Sequence, residues 1–487
     1  MAENVGTIAE ATIYELAAAL AAGKLTSEML TGFYLERIAK LDHGGPRLNS
    51  VLEINPDALF IARALDTARR QSGPRGPLHG IPVLIKDNIN TADKMHTSAG
   101  SQVLADSYAP RDSYVAATLR RAGAVILGKT NLTEFANFMA VGMPPGYSSR
   151  GGQVRTPYKP DTFATGGSSA GSGVAVAASL CAAAVGTETD GSIVSPAHHN
   201  SIVGIKPTVG LISRSGIVPI SFSQDTAGPL ARTVTDAALL LGAMTGIDAD
   251  DSATGAAAGM YHANYTRFLD AAGLKGARIG LARAAYFDAL SSDELTLFDQ
   301  ARTLIRAQGA VMIDVDMPAM TGGRWDSSVF TYEFKVALNA YLSSLGPSAP
   351  VRSLQDIIAY CLANPKTMLR YGQQHFLAAE ATSGMLTEPE YILDRLRDLR
   401  MARQEGIDAT MDAEQLDALL FPSWRSSYLT ARAGYPAIQV PAGYTGEGHP
   451  FSITFAGRAW SEPVLIRLAY SFEQASRLRV PPALEGA

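Results

Sequence analysis

Cysteine is almost missing: Cys181 and Cys361 are the only two in 487 residues. That count excludes a disulfide framework and any zinc site built from paired cysteines, and it fits a reducing compartment. Basic charge is in deficit, with 41 Lys and Arg against 46 Asp and Glu, a formal charge of −5. A nucleic-acid or anionic-membrane binder needs a clustered basic face, and nothing here suggests one. No apolar run approaches the ~20 residues of a membrane span. The apolar stretch Leu16 to Ala22 follows Glu3, Glu10 and Glu15 and no Lys or Arg, the reverse of a secretory leader. A cytoplasmic protein with no nucleic-acid or membrane partner is expected, as a monomer or homo-oligomer.

What is present is an ordinary globular composition, 47% hydrophobic and 18% charged, long enough to bury a large core. Residues 8–42 read as two helices, from Ile13, Leu16 and Leu20 and then Leu30, Phe33, Ile38 and Leu41. Short apolar runs at Ile81–Ile85 and Ala124–Leu127 beside a helical pattern at 113–122 predict a layered α/β fold. The Ala-rich run Val174 to Ala184 predicts a buried helix. Further helices are expected at 294–308, 328–345, 353–363, 388–408 and 462–477. Strands are expected at Ala418–Phe421, Ala437–Val440 and Phe451–Phe455. No repeat or linker divides the chain, so one domain spans 1–487, with 255–420 a variable helical region over the substrate site.

Two motifs are decoys. Gly123 to Thr130 satisfies the phosphate-loop pattern, but its four middle residues, Ala124–Leu127, are themselves an apolar strand and leave no flexible cradle. Gly167-Ser168-Ser169-Ala170-Gly171 satisfies the nucleophile-elbow pattern around Ser169. The elbow needs an apolar strand before it and a histidine partner. Here 160–166 is polar, and His198, His199, His262, His375 and His449 have no recognisable setting; the pair His198-His199 is expected to be structural. An elbow-type esterase is the minor alternative.

Three blocks are more specific. They are Gly80-Ile-Pro-Val-Leu-Ile-Lys86-Asp87-Asn88, then Gly166-Gly-Ser168-Ser169-Ala-Gly171-Ser172-Gly173, then Gly186-Thr187-Glu188-Thr189-Asp190-Gly191-Ser192-Ile193. In this order and spacing they resemble the amidase signature family. Gly204-Ile-Lys-Pro-Thr208, Ser223-Gln-Asp225-Thr-Ala-Gly-Pro229 and Gly434 to Pro441 extend the resemblance over most of the chain, least in 255–420.

The resemblance implies a central twisted mixed β-sheet covered on both faces by helices, and amide hydrolysis without metal or cofactor. It implies Ser192 as nucleophile, Ser168 as a bridging serine on a cis peptide bond, and Lys86 as terminal base. It implies an oxyanion hole from the backbone N–H groups of Thr189, Asp190, Gly191 and Ser192, with Ser169 and Thr187 as supporting donors. The residues suit that chemistry. A serine hydroxyl is a poor nucleophile until its proton is taken. Lysine, with a pKa near ~10.4 in water, can take it only if burial favours the neutral amine. Most lysines are solvated, but Lys86 closes an apolar run and is expected inside. An acyl-enzyme and a neutral to alkaline optimum follow.

The substrate is less legible. Val194 stands where many members, including the component that supplies ammonia for transfer-RNA amidation, carry Arg. The 186–194 run with Arg150-Gly-Gly-Gln-Val-Arg155 is similar to the peptide amidase branch, which implies peptide C-terminal amides or related amides. Arg150 and Arg155 are expected to tie loops rather than hold substrate. An aryl amide or carbamate hydrolase and a non-autonomous amidotransferase component remain alternatives. The acyl pocket is expected to be lined by 138–148, with Phe138, Met139 and Met143, and by middle-region aromatics such as Phe330, Tyr332 and Phe334, although each is by default a core residue.

Overall fold

The apolar runs that frame the sequence motifs become the middle of one large sheet. The computed structural model describes residues 8–282, 286–288, 290–317 and 325–484. Its strands are β1 (Val51–Ile54), β2 (Pro82–Lys86), β3 (Val125–Thr130), β4 (Tyr147–Ser148), β5 (Gly152–Gln153), β6 (Ala183–Glu188), β7 (Val203–Lys206), β8 (Thr226–Ala231), β9 (Arg278–Ala282), β10 (Val311–Val315), β11 (Ala418–Pro422), β12 (Ala437–Tyr444) and β13 (Pro450–Ala456). Eleven of them form a mixed sheet in the order β1-β3-β2-β6-β8-β7-β12-β13-β11-β9-β10, and β4 pairs with β5 alone. β3, β2 and β6 run parallel, as do β11, β9 and β10, with antiparallel pairing between these groups. Helices flank the sheet, among them Ala170–Ala177, Val234–Met244 and Glu462–Ser476.

Every residue of β2, β3, β6 and β8 is buried. Strands covered on both faces read as continuous apolar runs rather than alternating ones, which is why β2 and β3 stand out in sequence. The phosphate-loop match at Gly123–Thr130 is therefore a buried strand ending in a turn.

One helix reading needs correction. The apolar run Val174–Ala184 is not one helix: the helix is Ala170–Ala177, Ser179 turns through φ 54°, and Ala183 begins β6. Burial on all sides erases the amphipathic period, so length and composition alone could not separate the two elements. The segment 255–420 also carries more than helices, since β9, β10 and β11 complete one edge of the main sheet.

The helices Val329–Ser344, Leu354–Ala363 and Gln374–Glu380 build a second core with the 135–143 segment. Phe138, Met139 and Met143 lie in it, 7%, 1% and 6% exposed. The Phe138 ring stacks on His375 at 4.9 Å and meets Phe334 at 4.8 Å and Phe330 at 6.0 Å. Tyr332 points elsewhere, its hydroxyl donating to Glu390 at 2.9 Å. Phe138→Ala is expected to lower stability by about 3–5 kcal/mol, the usual cost of emptying an aromatic core position. Urea unfolding measures it; a loss under ~1 kcal/mol would mean the ring is not a packing element.

Candidate active site

β2 ends on Lys86, whose side chain is fully buried. The next strand over, β6, runs parallel to β2 and brings Thr187 alongside. Lys86 Nζ lies 2.8 Å from Ser168 Oγ and donates to Thr187 Oγ1 at 3.0 Å and Thr187 O at 3.3 Å. Asn88 Nδ2 donates to the same Thr187 hydroxyl at 3.0 Å. Loss of hydration pushes the amine down to about 7, against the opposing pull of the Asp225 and Glu188 charges. Near neutral pH a large fraction of Lys86 therefore carries a lone pair.

Ser168 follows a cis Gly167-Ser168 peptide bond, and its carbonyl accepts the Thr133 N–H at 3.0 Å. Ser169 then caps the way into the buried Ala170–Ala177 helix. Its N–H donates to the Ser192 carbonyl at 3.2 Å, and its hydroxyl donates to Thr187 O at 3.0 Å. The two glycine-serine loops are thus tied together. A side chain at Gly186 would come within 2.7 Å of Ser169 Oγ, so this close approach requires glycine. Ser169 is fully buried and bonds to Thr187 on both its hydroxyl donor and acceptor sides, not to a histidine. His198 and His199 bond instead to Ser452 Oγ at 2.5 Å and to Ser195 O at 2.8 Å. The elbow arrangement is not formed.

The turn after β6 carries Thr189 to Ser192. Glu188 Oε2 accepts the N–H groups of Ile193 at 2.7 Å and Val194 at 3.0 Å, pinning the chain just beyond Ser192. Gly191 takes φ 83°, a left-handed conformation that glycine adopts freely. Among the described residues, the N–H groups of Asp190, Gly191 and Ser192 have no protein acceptor. Trp424 and Ser427 face this turn: a Cβ on Gly191 would sit 3.4 Å from the indole and 3.3 Å from Ser427 Oγ. Arg432 lies 3.5 Å from the Asp190 carboxylate. Thr189 Oγ1 donates to Asp225 Oδ1 at 2.5 Å. Burial raises the Asp225 carboxyl to about 6, opposed by that bond.

A cavity of about 190 Å³ is lined among others by Asn88, Thr187, Thr189, Arg214, Ile220 and Asp225, and it reaches the Lys86 cluster through Thr187. Among the described residues, no group of three or more His, Cys, Asp or Glu side chains could hold a metal ion. Arg150 bonds to Glu53 of β1 at 2.9 Å, and Arg155 bonds to Asp161 at 3.0 Å.

The chain that builds this site matches the Amidase family model over residues 29–430. It belongs to the amidase family. A probable amidase of Arabidopsis thaliana is 43% identical over 98% of this chain and 92% of its own. A putative amidase of Schizosaccharomyces pombe is 38% identical over 98% of this chain and 87% of its own. The native peptide amidase of Stenotrophomonas maltophilia superposes with a TM-score of 0.93 at 48% identity, over 98% and 99% of the two chains. The amidase fold and hydrolysis of amide bonds expected from the sequence are thereby established. No helix among the described residues is long and apolar enough to cross a membrane.

The structure brings Lys86, Ser168, Ser169 and Thr187 into one bonded cluster with the Ser192 loop against it. It sets Phe138, Met139 and Met143 in a packed core. Asn88, Asp225, Trp424 and Ser427 have no role legible in the sequence. Asp225 lies within the Ser223–Pro229 block, and Trp424 is one of three tryptophans, but no spacing rule points either at the site.

Proposed function

We propose that this amidase hydrolyses peptide C-terminal carboxamides, or closely related primary amides, through an acyl-enzyme on Ser192. The observation that carries the reading is Lys86, fully buried with its amine 2.8 Å from Ser168 Oγ. A neutral amine has two N–H bonds and one lone pair. The N–H bonds serve Thr187 O and Thr187 Oγ1, leaving the lone pair for the Ser168 proton. Ser168 in turn accepts the Ser192 proton as Ser192 attacks the carbonyl carbon. The N–H groups of the 189–192 turn meet the developing oxyanion; such donors each contribute roughly 10²–10³ in rate. Collapse expels the amine, which takes its proton back through Ser168. Water then attacks the ester by the same relay, releasing the acid and free Ser192.

The peptide amide reading draws support from the 48% identity to a peptide amidase over nearly the full chain. The test uses three substrates with one acyl group: a peptide carboxamide, an anilide and an aryl carbamate. Ammonia release from the carboxamide is expected to exceed the other two by at least about tenfold in kcat/KM, a difference of ~1.4 kcal/mol in transition-state binding. Preference for the anilide or carbamate would move the substrate class while leaving the relay. No hydrolysis by the isolated chain would favour the partner-dependent amidotransferase reading.

A further inference from the structure

The segment Ile220–Asp225 lies between the candidate site and the helices of the middle region, and a carboxylate grips it from each side. On the inner side, Asp225 Oδ2 accepts the N–H groups of Ile220 at 2.8 Å and Ser221 at 2.9 Å, while Oδ1 accepts the Thr189 hydroxyl at 2.5 Å. Gln224 Nε2 donates to the Thr189 carbonyl at 3.3 Å. On the outer side stands Glu333, fully buried within the Val329–Ser344 helix. Its Oε2 accepts the Ser221 hydroxyl at 2.5 Å and the Ser223 N–H at 3.0 Å. Its Oε1 accepts the Ser223 hydroxyl and, at 3.0 Å, the Tyr391 hydroxyl from the Pro389–Leu399 helix.

Ser221 is shared between the two grips, its N–H held by Asp225 and its hydroxyl by Glu333. Four donors converge on Glu333, which fills the accepting capacity of a carboxylate. Burying such an anion is costly unless it is so bonded, and an apolar residue would pack the helix at lower cost. The bonds therefore serve something more specific than burial. They run from two helices of the middle region, through 221–225, to Thr189 at the start of the turn that carries Ser192.

We propose that Glu333 is a positioning residue, holding the 220–225 segment so that Asp225 and Gln224 fix Thr189 and aim the N–H groups of the 189–192 turn at the oxyanion. The inference rests on the reading of Ser192 and its turn given above. Glu333 touches no reacting atom. Its loss displaces donors rather than deleting them, and a misplacement of ~1 Å is worth about 10²-fold in rate.

The test measures kcat and KM per active site on a primary carboxamide, with functional sites counted by a fluorophosphonate titrant and the labelled residue identified by mass spectrometry. Glu333→Ala is expected to lower kcat per titrated site about 10–100-fold with KM within about 3-fold of wild type. Glu333→Gln keeps the shape, can still accept from Ser221 and Ser223, and is expected to return kcat to within about 3-fold of wild type. An alanine variant with wild-type kcat per site, or with raised KM alone, would overturn the proposal in favour of a purely structural or a substrate-contact role. If Glu333→Ala does not fold, the Ser223→Ala/Tyr391→Phe pair is expected to lower kcat about 3–10-fold, and no change would overturn it. Label found on a residue other than Ser192 in the wild-type chain would instead remove the underlying reading.

Discussion

Ser192→Ala is expected to reduce amide hydrolysis by about 10⁴–10⁶-fold, the range seen when a serine nucleophile acting within a unit is removed. The loss should fall on kcat, because the hydroxyl forms its bond only during reaction. Substrate binding and the melting temperature should hold, since the loop is fixed by other groups. Glu188 pins Ile193 and Val194, and Ser169 N–H holds the Ser192 carbonyl. The residual rate would come from the N–H groups of the 189–192 turn, which alanine leaves in place. Single-turnover mass spectrometry adds a direct readout, an acyl adduct on the wild-type chain and none on the variant. An active Ser192→Ala enzyme would sink the acyl-enzyme reading.

Lys86→Met is expected to cost about 10²–10⁴-fold in kcat, the usual contribution of a positioned general base. Methionine matches the buried length without an amine, so folding should survive while Ser168 loses its proton acceptor. Lys86→Arg should be as inactive, because guanidinium stays charged at every working pH and has no lone pair to offer. The pH profile separates this role from a structural one. Burial holds the wild-type amine down to about 7. The active neutral form therefore grows as pH rises through 7 and is lost below it. At pH 5.5 roughly 3% of the amine is neutral, so kcat/KM should be about 30-fold under its alkaline plateau. The inflection should be missing from the residual activity of Lys86→Met. A wild-type optimum below pH 6 would contradict a neutral lysine base.

Both groups are legible in the sequence for the same reason, the closeness of what defines them. Lys86 closes a strand buried on both faces, so its setting is written in the five apolar residues before it. Ser168 and Ser192 lie in glycine-rich runs on either side of one helix and one strand, close enough along the chain for a motif to hold them. The reaction class was legible because Lys86 and the two serines stand in blocks that resemble the amidase signature family, whose model the chain matches over residues 29–430.

Contacts across long stretches of chain were not legible. Glu333 reaches Ser223 across 110 residues, and nothing local to the Val329–Ser344 helix sets that glutamate apart from a solvated one. Trp424 comes to Gly191 only because β11 enters the sheet beyond β13, an order set by pairing between distant strands. Phe138 and Met139 carry apolar surface that suits a pocket or a core equally, and the packing of His375, Phe334 and Phe330 around Phe138 is visible only in the folded chain. The Ala-rich run splits into a helix and β6, and β6 finds its partners β2 and β8 only in the folded sheet. Local sequence determined the buried amine and the two glycine-rich serine loops, since residue type and burial are properties of residues and their near neighbours. Tertiary structure alone decided what aims and encloses them, since that depends on partners the chain brings together only when it folds.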